Sequence, residues 1–400
     1  MAAAGSPGGS SRAGSRHRSI AFMDAGGNTR GGDPRTRQGD PGPVAWQGDP
    51  GPAAEFAAWP KAELHLHLDG SLLIGTALEL ARTRGVDAPA DHAGMRAALV
   101  APEWSSSQAD LLRAFTLPIA LLQDAEALQR VTRELVETKA ADGVRYVEIR
   151  WGPLLHLERG LTPAEVIAAV CDGAEAGVRG AAGSGQEIAV RLISTAIRSH
   201  EPTANVALAE VAAGFRERGL VGWDLAGMEE RFPDPARHAA SFEAARAGGL
   251  RLTCHAGEWG GAAQVRRTLV LEPERIAHGP LAIDDPSLCA ELRARGIALD
   301  LCPTSNVQAG VFGSVAEHPL ARLHRAGIKV TLSTDDMTVS DITLSQEYAR
   351  ARSAIGVTPA ELWAIDRRAL DVAFGEESLL AGLRAEFDAW VASRPELTGP

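Results

Sequence analysis

From about residue 55 onward, short runs of apolar and β-branched residues alternate with longer stretches rich in Ala, Leu, Arg and Glu. Eight of the short runs have the length and composition of strands: AELHLHL (62–68), VRYVEIR (144–150), IAVRLISTAI (188–197), LVGWDLA (220–226), LRLTCHA (250–256), RIAHG (275–279), IALDLCP (297–303) and KVTLSTD (329–335). Before the second run, ALQRVTRELVETKAADG places Leu128, Val131 and Leu135 on one helical face and ends at Gly143. This spacing predicts an amphipathic helix with a glycine stop.

Strands that alternate with helices predict a parallel sheet, and eight such units predict an α/β protein with a closed (β/α)8 TIM barrel. A doubly wound open sheet is the competing fold. Six of the eight runs carry a His, Asp or Arg at or just past their C-terminal ends. A barrel builds its active site on that face, so the polar pattern favours the barrel over residues 55–400.

Residues 1–54 differ in composition from the rest of the chain. Gly, Pro, Arg, Ser and Asp dominate this segment, as in GGNTRGGDPRTRQGDPGP, so it has little apolar surface to bury. Such a composition predicts a disordered tail. An over-long start is the alternative, because Met23 lies within the segment. Neither interpretation gives the tail a chemical role.

Charge and cysteine usage exclude several classes of protein. The net charge is −11 and no block of basic residues occurs, so neither a nucleic acid nor an anionic membrane is an expected partner. No apolar run is long enough to cross a bilayer or to begin a secretory signal. Four scattered cysteines without CxxC spacing argue against a disulfide scaffold and a thiolate zinc site, which favours the cytoplasm. The oligomeric state is left open.

Two histidines stand one residue apart on the first predicted strand, in HLHLD. Side chains at i and i+2 of a strand point to the same side, so His65 and His67 can both reach one metal ion. On its own this spacing is more often a coincidence or a pair of hydrogen-bonded core histidines than a metal site.

Other strand ends supply further ligand types: His255 and Glu258 in CHAGE, His278 in AHG, and Asp335 and Asp336 in STDD. Each has a structural explanation, as a core histidine, a carboxylate in the first turn of a helix or an N-cap. Coincidence at the matching ends of four strands is a poor explanation of the set. Three histidines and one carboxylate suit a borderline-soft divalent ion, and zinc is the leading candidate.

A metal-activated water is the default chemistry of such a site. A bridged two-metal centre is disfavoured, because none of the three lysines, Lys61, Lys139 and Lys329, lies in or just after VGWDLAGMEE. One metal ion with a nearby glutamate suits hydrolytic deamination of an aromatic ring. A carboxylic acid must protonate the ring nitrogen as aromaticity breaks, and Glu258 is of the right type.

The motifs PKAELHLHLDGSL, DLAGME, CHAGE, RIAHG, LCPTSN and STDD, in this order, resemble the adenosine deaminase family of zinc-dependent (β/α)8 hydrolases. The similarity runs from about residue 59 to about residue 390. By position it implies one zinc ion held by His65, His67, His255 and Asp335. It also implies that Glu258 is the proton donor to purine N1 and that His278 orients the attacking water.

The same resemblance places His67, Asp69, Gly227 and Asp336 around the substrate. It implies that Asp336 contacts purine N7, that the Gly227 backbone approaches N3 and that Asp69 binds the ribose 5′-hydroxyl. A negative charge at Asp69 would also repel a 5′-phosphate. The family's apolar lid corresponds to ADLLRAF, where Leu112 and Phe115 are either lid residues or an ordinary helix face. Met337 replaces a proline that often follows TDD, which puts the aim of Asp336 in doubt.

These implications lead to a predicted function, the zinc-dependent hydrolysis of adenosine and 2′-deoxyadenosine to inosine or deoxyinosine and ammonia. One alternative keeps the chemistry and changes the substrate to adenine or a modified adenosine. A second alternative is a metal-stabilised binding protein without turnover. The intact pair of Glu258 and His278 argues against it, because a binding-only site needs no proton shuttle.

Overall fold

The computed structural model describes residues 53–398, in which eight strands pair in parallel and in chain order. They are β1 (Lys61–His67), β2 (Val144–Trp151), β3 (Ala189–Ile197), β4 (Leu220–Ala226), β5 (Arg251–Ala256), β6 (Arg275–His278), β7 (Ala298–Leu301) and β8 (Lys329–Leu332). The sheet closes where Asp335, just past β8, meets β1: its N–H donates to the His65 carbonyl at 3.1 Å and its carbonyl accepts from His67 N–H at 2.7 Å. The prediction of a (β/α)8 barrel is confirmed.

Within residues 53–398, sixteen α-helices accompany the strands. They are α1 (Ala53–Ala57), α2 (Ile74–Arg84), α3 (His92–Leu99), α4 (Gln108–Leu112), α5 (Thr116–Leu121), α6 (Ala125–Ala141), α7 (Pro163–Gly183), α8 (Pro202–Ala213), α9 (Ala239–Ala247), α10 (Gly261–Thr268), α11 (Pro286–Arg295), α12 (Pro303–Gln308), α13 (Leu320–Arg325), α14 (Leu344–Arg350), α15 (Pro359–Val372) and α16 (Glu377–Val391). None is long and apolar enough to cross a membrane.

Local sequence signals define α6, the helix that the spacing predicts. Asp124 caps its first turn by accepting from Ala127 N–H at 2.9 Å, and the apolar face with Leu128 and Val131 is buried. The helix ends two residues before Gly143, whose φ of 81° lies in the left-handed region. The predicted amphipathic helix is therefore confirmed, and it packs beside α7 on the outside of the barrel.

The barrel interior contains charged groups as well as apolar ones. Arg150 is fully buried and donates to the Leu64 carbonyl at 2.7 Å, and one of its nitrogens lies 3.4 Å from Asp224 Oδ2. Arg275 donates to Asp300 at 3.0 Å and to Glu148. Buried charges are costly unless they are paired. Because the partners lie on different strands, pairing them requires one relative arrangement of those strands. This network forms a floor beneath the C-terminal mouth of the barrel.

Of the predicted tail, residues 1–54, the first 52 residues lie outside the described part of the chain. Its last two residues belong to α1, which begins at Ala53. This short helix carries Phe56, which is buried against Trp59 and Tyr348 at ring-centroid distances of 5.0 and 6.0 Å. Residues 53 and 54 of the predicted tail are therefore helical, close to an aromatic side chain that packs on the barrel.

Candidate active site

The C-terminal ends of β1 and β5 and the segment after β8 bring four predicted metal ligands together. His65 Nε2 lies 2.9 Å from Asp335 Oδ1. His67 Nε2 lies 3.3 Å from His65 Nε2, 3.1 Å from His255 Nε2 and 3.5 Å from Asp335 Oδ1. The i, i+2 spacing thus places both histidines of β1 on the same side, as expected, and β5 supplies the third imidazole.

The donor atoms of these side chains fit a zinc ion. Nitrogen and oxygen ligands about 2.0–2.2 Å from one tetrahedral zinc lie roughly 3.3 Å from each other, close to the distances between the four side chains. Asp335 Oδ1 is buried and accepts no hydrogen bond. A buried carboxylate oxygen without a donor is costly unless a cation satisfies it. Three imidazoles and one carboxylate are also a donor set that zinc prefers.

His278 is a second candidate for the fourth ligand. Together with His65, His255 and Asp335 it forms a set whose donor atoms all lie within 4.8 Å of one another. However, His278 Nε2 lies 3.8 Å from Asp335 and faces its Oδ2, whereas His67 faces Oδ1 at 3.5 Å, on the same side as His65. We therefore propose His67 as the fourth ligand and leave His278 free to act on the substrate side.

Two residues of the site have a strained backbone. His278 and Asp335 have φ angles of 68° and 66°, in the left-handed region that side chains other than glycine rarely adopt. Such conformations cost about 1–3 kcal/mol each and persist where the surrounding structure determines them. Asp335 is held by its two backbone bonds to β1 and by Ser305, whose hydroxyl donates to Asp335 Oδ2 at 2.7 Å. The strain directs both side chains into the mouth of the barrel.

Asp224, at the end of β4, is a site residue to which sequence reasoning assigned no role. Its carboxylate lies 2.9 Å from His255 Nδ1, so the other ring nitrogen of His255 faces the predicted metal position. Burial raises the pKa of Asp224, but its interactions with His255 and Arg150 outweigh burial and hold the pKa below its ordinary value. An ionised carboxylate that holds a histidine in this way fixes the tautomer of a metal ligand and increases its basicity.

Asp224→Asn is expected to weaken zinc binding about 10–100-fold, because the amide cannot accept and orient the Nδ1 proton as the carboxylate does. A competition titration against a chromogenic chelator measures the affinity. Asp300→Asn is the matched control, since Asp300 is a buried carboxylate of the same ion network that contacts Arg275 rather than a predicted ligand. Equal zinc affinity in the Asp224 and Asp300 variants would contradict the assignment.

Glu258 lies in the loop after β5 and is buried beside His278, with its Oε1 3.7 Å from His278 Nε2. Burial raises the pKa of Glu258 well above its ordinary value, and the negative charges of Asp335 and Glu229 raise it further. The loop is held by Glu229, whose carboxylate accepts from the backbone N–H of Gly260 at 2.9 Å. The raised pKa favours the protonated form of Glu258, which is the form that a proton donor requires.

Asp336 is buried next to Asp69 and Gly70. Burial and the neighbouring carboxylates Asp335, Asp69 and Glu258 raise the pKa of Asp336 well above its ordinary value. A Cβ on Gly70 would lie 1.7 Å from Asp336 Oδ1, so only glycine allows this approach. A protonated Asp336 can donate a hydrogen bond to a ligand.

The turn after the aspartate pair is supported even though methionine stands where proline often follows TDD. The Met337 N–H, which a proline would lack, donates to the Ser71 hydroxyl at 3.1 Å. Ser71 in turn donates to the His67 carbonyl at 2.6 Å. This link ties the turn that carries Asp336 to the end of β1.

A partly enclosed cavity joins these groups. Its lining includes seven side chains and one glycine named in the sequence analysis: His67, Asp69, Gly227, His255, Glu258, His278, Asp335 and Asp336. Leu112 and Phe115 also line it, together with Gln108 and Trp259. The segment ADLLRAF therefore borders the cavity, and the neighbouring Gln108 adds a polar side chain that the sequence analysis did not single out.

The family comparison bears directly on this site. A family model described as adenosine deaminase matches residues 60–390. The chain belongs to the adenosine deaminase family. An adenosine deaminase of Mycobacterium ulcerans is 40% identical over 329 residues, covering 79% of this chain and 90% of the relative. Another from Clostridium perfringens is 37% identical, covering 81% and 97%. The predictions of this family and of a hydrolytic deaminase are thereby confirmed.

Solved structures share the fold as well. A zinc-bound amidohydrolase from Burkholderia ambifaria is 28% identical with a TM-score of 0.76, and the match covers 85% of this chain and 94% of that protein. Family membership and the buried cluster of histidines and aspartate together indicate a metal site.

Proposed function

We propose that this chain hydrolyses adenosine and 2′-deoxyadenosine to inosine and deoxyinosine with release of ammonia, using one zinc ion. The observation that supports this most strongly is the combination of Glu258 and the four proposed zinc ligands in one cavity, where a carboxylic acid faces a cluster of metal-binding atoms. Deamination of an aminopurine needs an activated water that adds to the carbon bearing the amino group and an acid that protonates the adjacent ring nitrogen. A cytoplasmic role in purine metabolism is part of the proposal.

His65, His67, His255 and Asp335 would hold the zinc ion, and Asp224 would orient His255. When bound, zinc lowers the pKa of water towards about 7 and so supplies a nucleophile at neutral pH. Burial lowers the pKa of His65 well below its ordinary value and also lowers that of His255, so both imidazoles are neutral, as ligands must be.

Glu258 and His278 would carry the proton chemistry. As water adds to C6 of the purine, Glu258 gives its proton to N1, which compensates for the loss of aromaticity. The resulting carboxylate takes one proton from the adding water and passes it to the amino group, which leaves as ammonia. Glu258 then regains its proton from the remaining hydroxyl as the C6 carbonyl forms. His278 lies within 3.8 Å of both Glu258 and Asp335, where it can hold the incoming water.

Asp336 and Gly227 would orient the purine ring. N7 of a purine is a hydrogen-bond acceptor, so a contact from Asp336 requires a protonated carboxyl, in agreement with its raised pKa. Gly227 has a φ of 111°, a conformation that a side chain would strain. This conformation exposes backbone on the wall of the cavity, where the purine N3 edge would approach it.

Asp69 would bind the ribose 5′-hydroxyl, since it lines the cavity and its Oδ1 accepts no hydrogen bond. Asp69→Ala is expected to lower kcat/KM for adenosine about 10–100-fold, because a hydrogen bond to a charged group contributes about 1.5–3 kcal/mol. The same variant should turn over 5′-deoxyadenosine at nearly the rate of the unsubstituted enzyme. An equal loss for both substrates would show that Asp69 does not contact the 5′-hydroxyl.

A substrate panel tests the proposed reaction. Zinc-replete protein is expected to lower the absorbance of adenosine and 2′-deoxyadenosine and to release one ammonia for each nucleoside consumed. Adenine and 5′-substituted adenosines should react more slowly. Preferred turnover of adenine or of a modified nucleotide would show that another 6-aminopurine is the substrate. Absence of turnover with all of these compounds would refute the proposal.

A further inference from the structure

Behind His278, buried polar groups form a chain of hydrogen bonds that leads away from the cavity. His278 Nδ1 lies 3.2 Å from Asn306 Nδ2, and Asn306 Oδ1 lies 3.1 Å from His318 Nε2. The chain ends at the backbone nitrogen of Leu320, which lies 3.2 Å from His318 Nδ1. His278, Asn306 and His318 are 1%, 0% and 3% exposed, so bulk water does not compete for these bonds.

The backbone group at the end of this chain determines the direction of every bond in it. The Leu320 N–H can only donate, so His318 Nδ1 accepts and the ring proton of His318 is on Nε2. Burial lowers the pKa of His318 to about 3, so its ring is neutral and carries that one proton. His318 Nε2–H then donates to Asn306 Oδ1, which turns the NH₂ group of the amide towards His278.

The amide nitrogen of Asn306 can only donate, so His278 Nδ1 must be the acceptor. The proton of the neutral His278 ring is consequently on Nε2, the atom that lies 3.7 Å from Glu258 Oε1 and 3.8 Å from Asp335 Oδ2. With the opposite orientation of the amide, the Asn306 NH₂ group would face the N–H on His318 Nε2, and two donors would meet. His318 cannot move its proton to Nδ1 to avoid this, because Nδ1 must accept from the Leu320 N–H.

We propose that Asn306 and His318 are positioning residues that hold His278 in the tautomer whose N–H faces the reacting carbon. This inference rests on the proposed function, because in that reaction the N–H donates to the oxygen that adds to the purine and gains negative charge. The opposite tautomer presents a lone pair to the same oxygen and repels it. Neither positioning residue lines the cavity, and their chain of hydrogen bonds reaches it at His278.

Asn306→Asp tests the direction of the chain with almost no change in shape. A carboxylate accepts from both of its neighbours, so it draws the His278 proton to Nδ1 and reverses the tautomer. For adenosine, kcat is expected to fall about 100-fold or more, as other enzymes lose activity when a catalytic histidine takes the wrong tautomer, while KM changes little. Zinc content should remain at one ion per chain.

A spectroscopic readout is independent of turnover. In the zinc-loaded enzyme with ¹⁵N-labelled histidine, two-bond proton–nitrogen correlations distinguish a protonated Nε2 from a protonated Nδ1. The His278 signal, assigned by its loss in His278→Gln, should show protonated Nε2 in the unsubstituted enzyme and protonated Nδ1 in Asn306→Asp. A signal from protonated Nδ1 in the unsubstituted enzyme would overturn the inference.

Asn205 provides a matched control for Asn306. It is also buried, and its Nδ2 lies 3.1 Å from the Nδ1 of another histidine, His238. Asn205→Asp places the same charge beside a buried imidazole outside the site, so it is expected to cost similar stability while retaining most of kcat. Equal losses of kcat in Asn306→Asp and Asn205→Asp would show that Asn306 has only a structural role.

A second pair of variants decides the question if Asn306→Asp fails to fold. His318→Ala removes the donor that orients the amide and should lower kcat at least about 10-fold with a mixture of His278 tautomers. His318→Gln restores an N–H close to the position of Nε2 and should recover most of the activity. Unchanged kcat and tautomer in His318→Ala would overturn the inference. Absence of adenosine turnover together with the expected tautomer would instead refute the proposed function.

Discussion

Glu258→Gln is expected to lower kcat for adenosine deamination about 10²–10⁴-fold, the usual contribution of a general acid, while zinc and nucleoside binding stay almost unchanged. Glutamine keeps the shape of the side chain and can still donate an N–H to a ring nitrogen, but it cannot release a proton. The raised pKa of Glu258, caused by burial and by the nearby Asp335 and Glu229, favours the protonated form that this step requires. Steady-state kinetics and equilibrium binding of inosine measure the two effects separately.

A control for this variant is Asp366→Asn at the opposite end of the barrel. Asp366 is also buried, and burial raises its pKa to about 7. It accepts from Ala62 N–H at 2.9 Å near the start of β1, far from the strand ends that carry the site. Asp366→Asn is expected to change stability but not kcat. Unchanged turnover in Glu258→Gln would refute the assignment of the proton donor.

Removal of the metal is expected to abolish turnover and to destabilise the fold. Without a cation, three imidazoles and the buried Asp335 carboxylate face one another at 2.9–3.5 Å with one carboxylate oxygen unpaired. A ligand that binds only the folded state stabilises it by about 4 kcal/mol when its free concentration is about 1,000 times its Kd. Dialysis against a chelator should therefore lower the melting temperature, and stoichiometric zinc should restore both stability and activity.

The variant His65→Ala with His67→Ala serves as the control for metal removal, because it lacks two of the four proposed ligands. Its melting temperature should be the same with and without chelator. If the unsubstituted protein also melted at the same temperature after chelation, with full activity, the site would not depend on a metal ion.

The strands of this barrel are largely predictable because their signal is local. Buried parallel strands are short apolar runs, and the predicted run 144–150 corresponds to β2, Val144–Trp151. The i, i+2 rule also placed His65 and His67 correctly on one side of β1. What brings β1 next to the end of β8 is a long-range backbone pairing with Asp335, for which the local sequence has no signal.

Gln108 apart, the residues that sequence reasoning missed act by supporting other side chains of the site. Asp224 and Asn306 lie in the quoted motifs DLAGME and LCPTSN, but their partners are distant in the chain: His255 for Asp224, and His278 and His318 for Asn306. A hydrogen bond between strand ends depends on the closed barrel, so spacing along one strand cannot predict it. The available signal was that Asp224 lies near the C-terminal end of β4 and that Asn306 lies in α12, the short helix that follows β7.

The effect of Met337 also required the structure. A proline would have fixed the backbone after the aspartate pair, and without it the sequence does not define the aim of Asp336. The N–H that methionine provides is instead bonded to Ser71, and the tight approach of Gly70 leaves Asp336 little room to move. A compensating contact of this kind lies between segments 266 residues apart in the chain.

The most direct test of the central claim is a crystal structure of the zinc-replete protein with diffraction data recorded on both sides of the zinc absorption edge. The account predicts one anomalous peak per chain, about 2.0–2.2 Å from the Nε2 atoms of His65, His67 and His255 and from Asp335 Oδ1, with Glu258 beside it. No peak among these side chains, or a pair of peaks bridged by another residue, would contradict a single-zinc deaminase site.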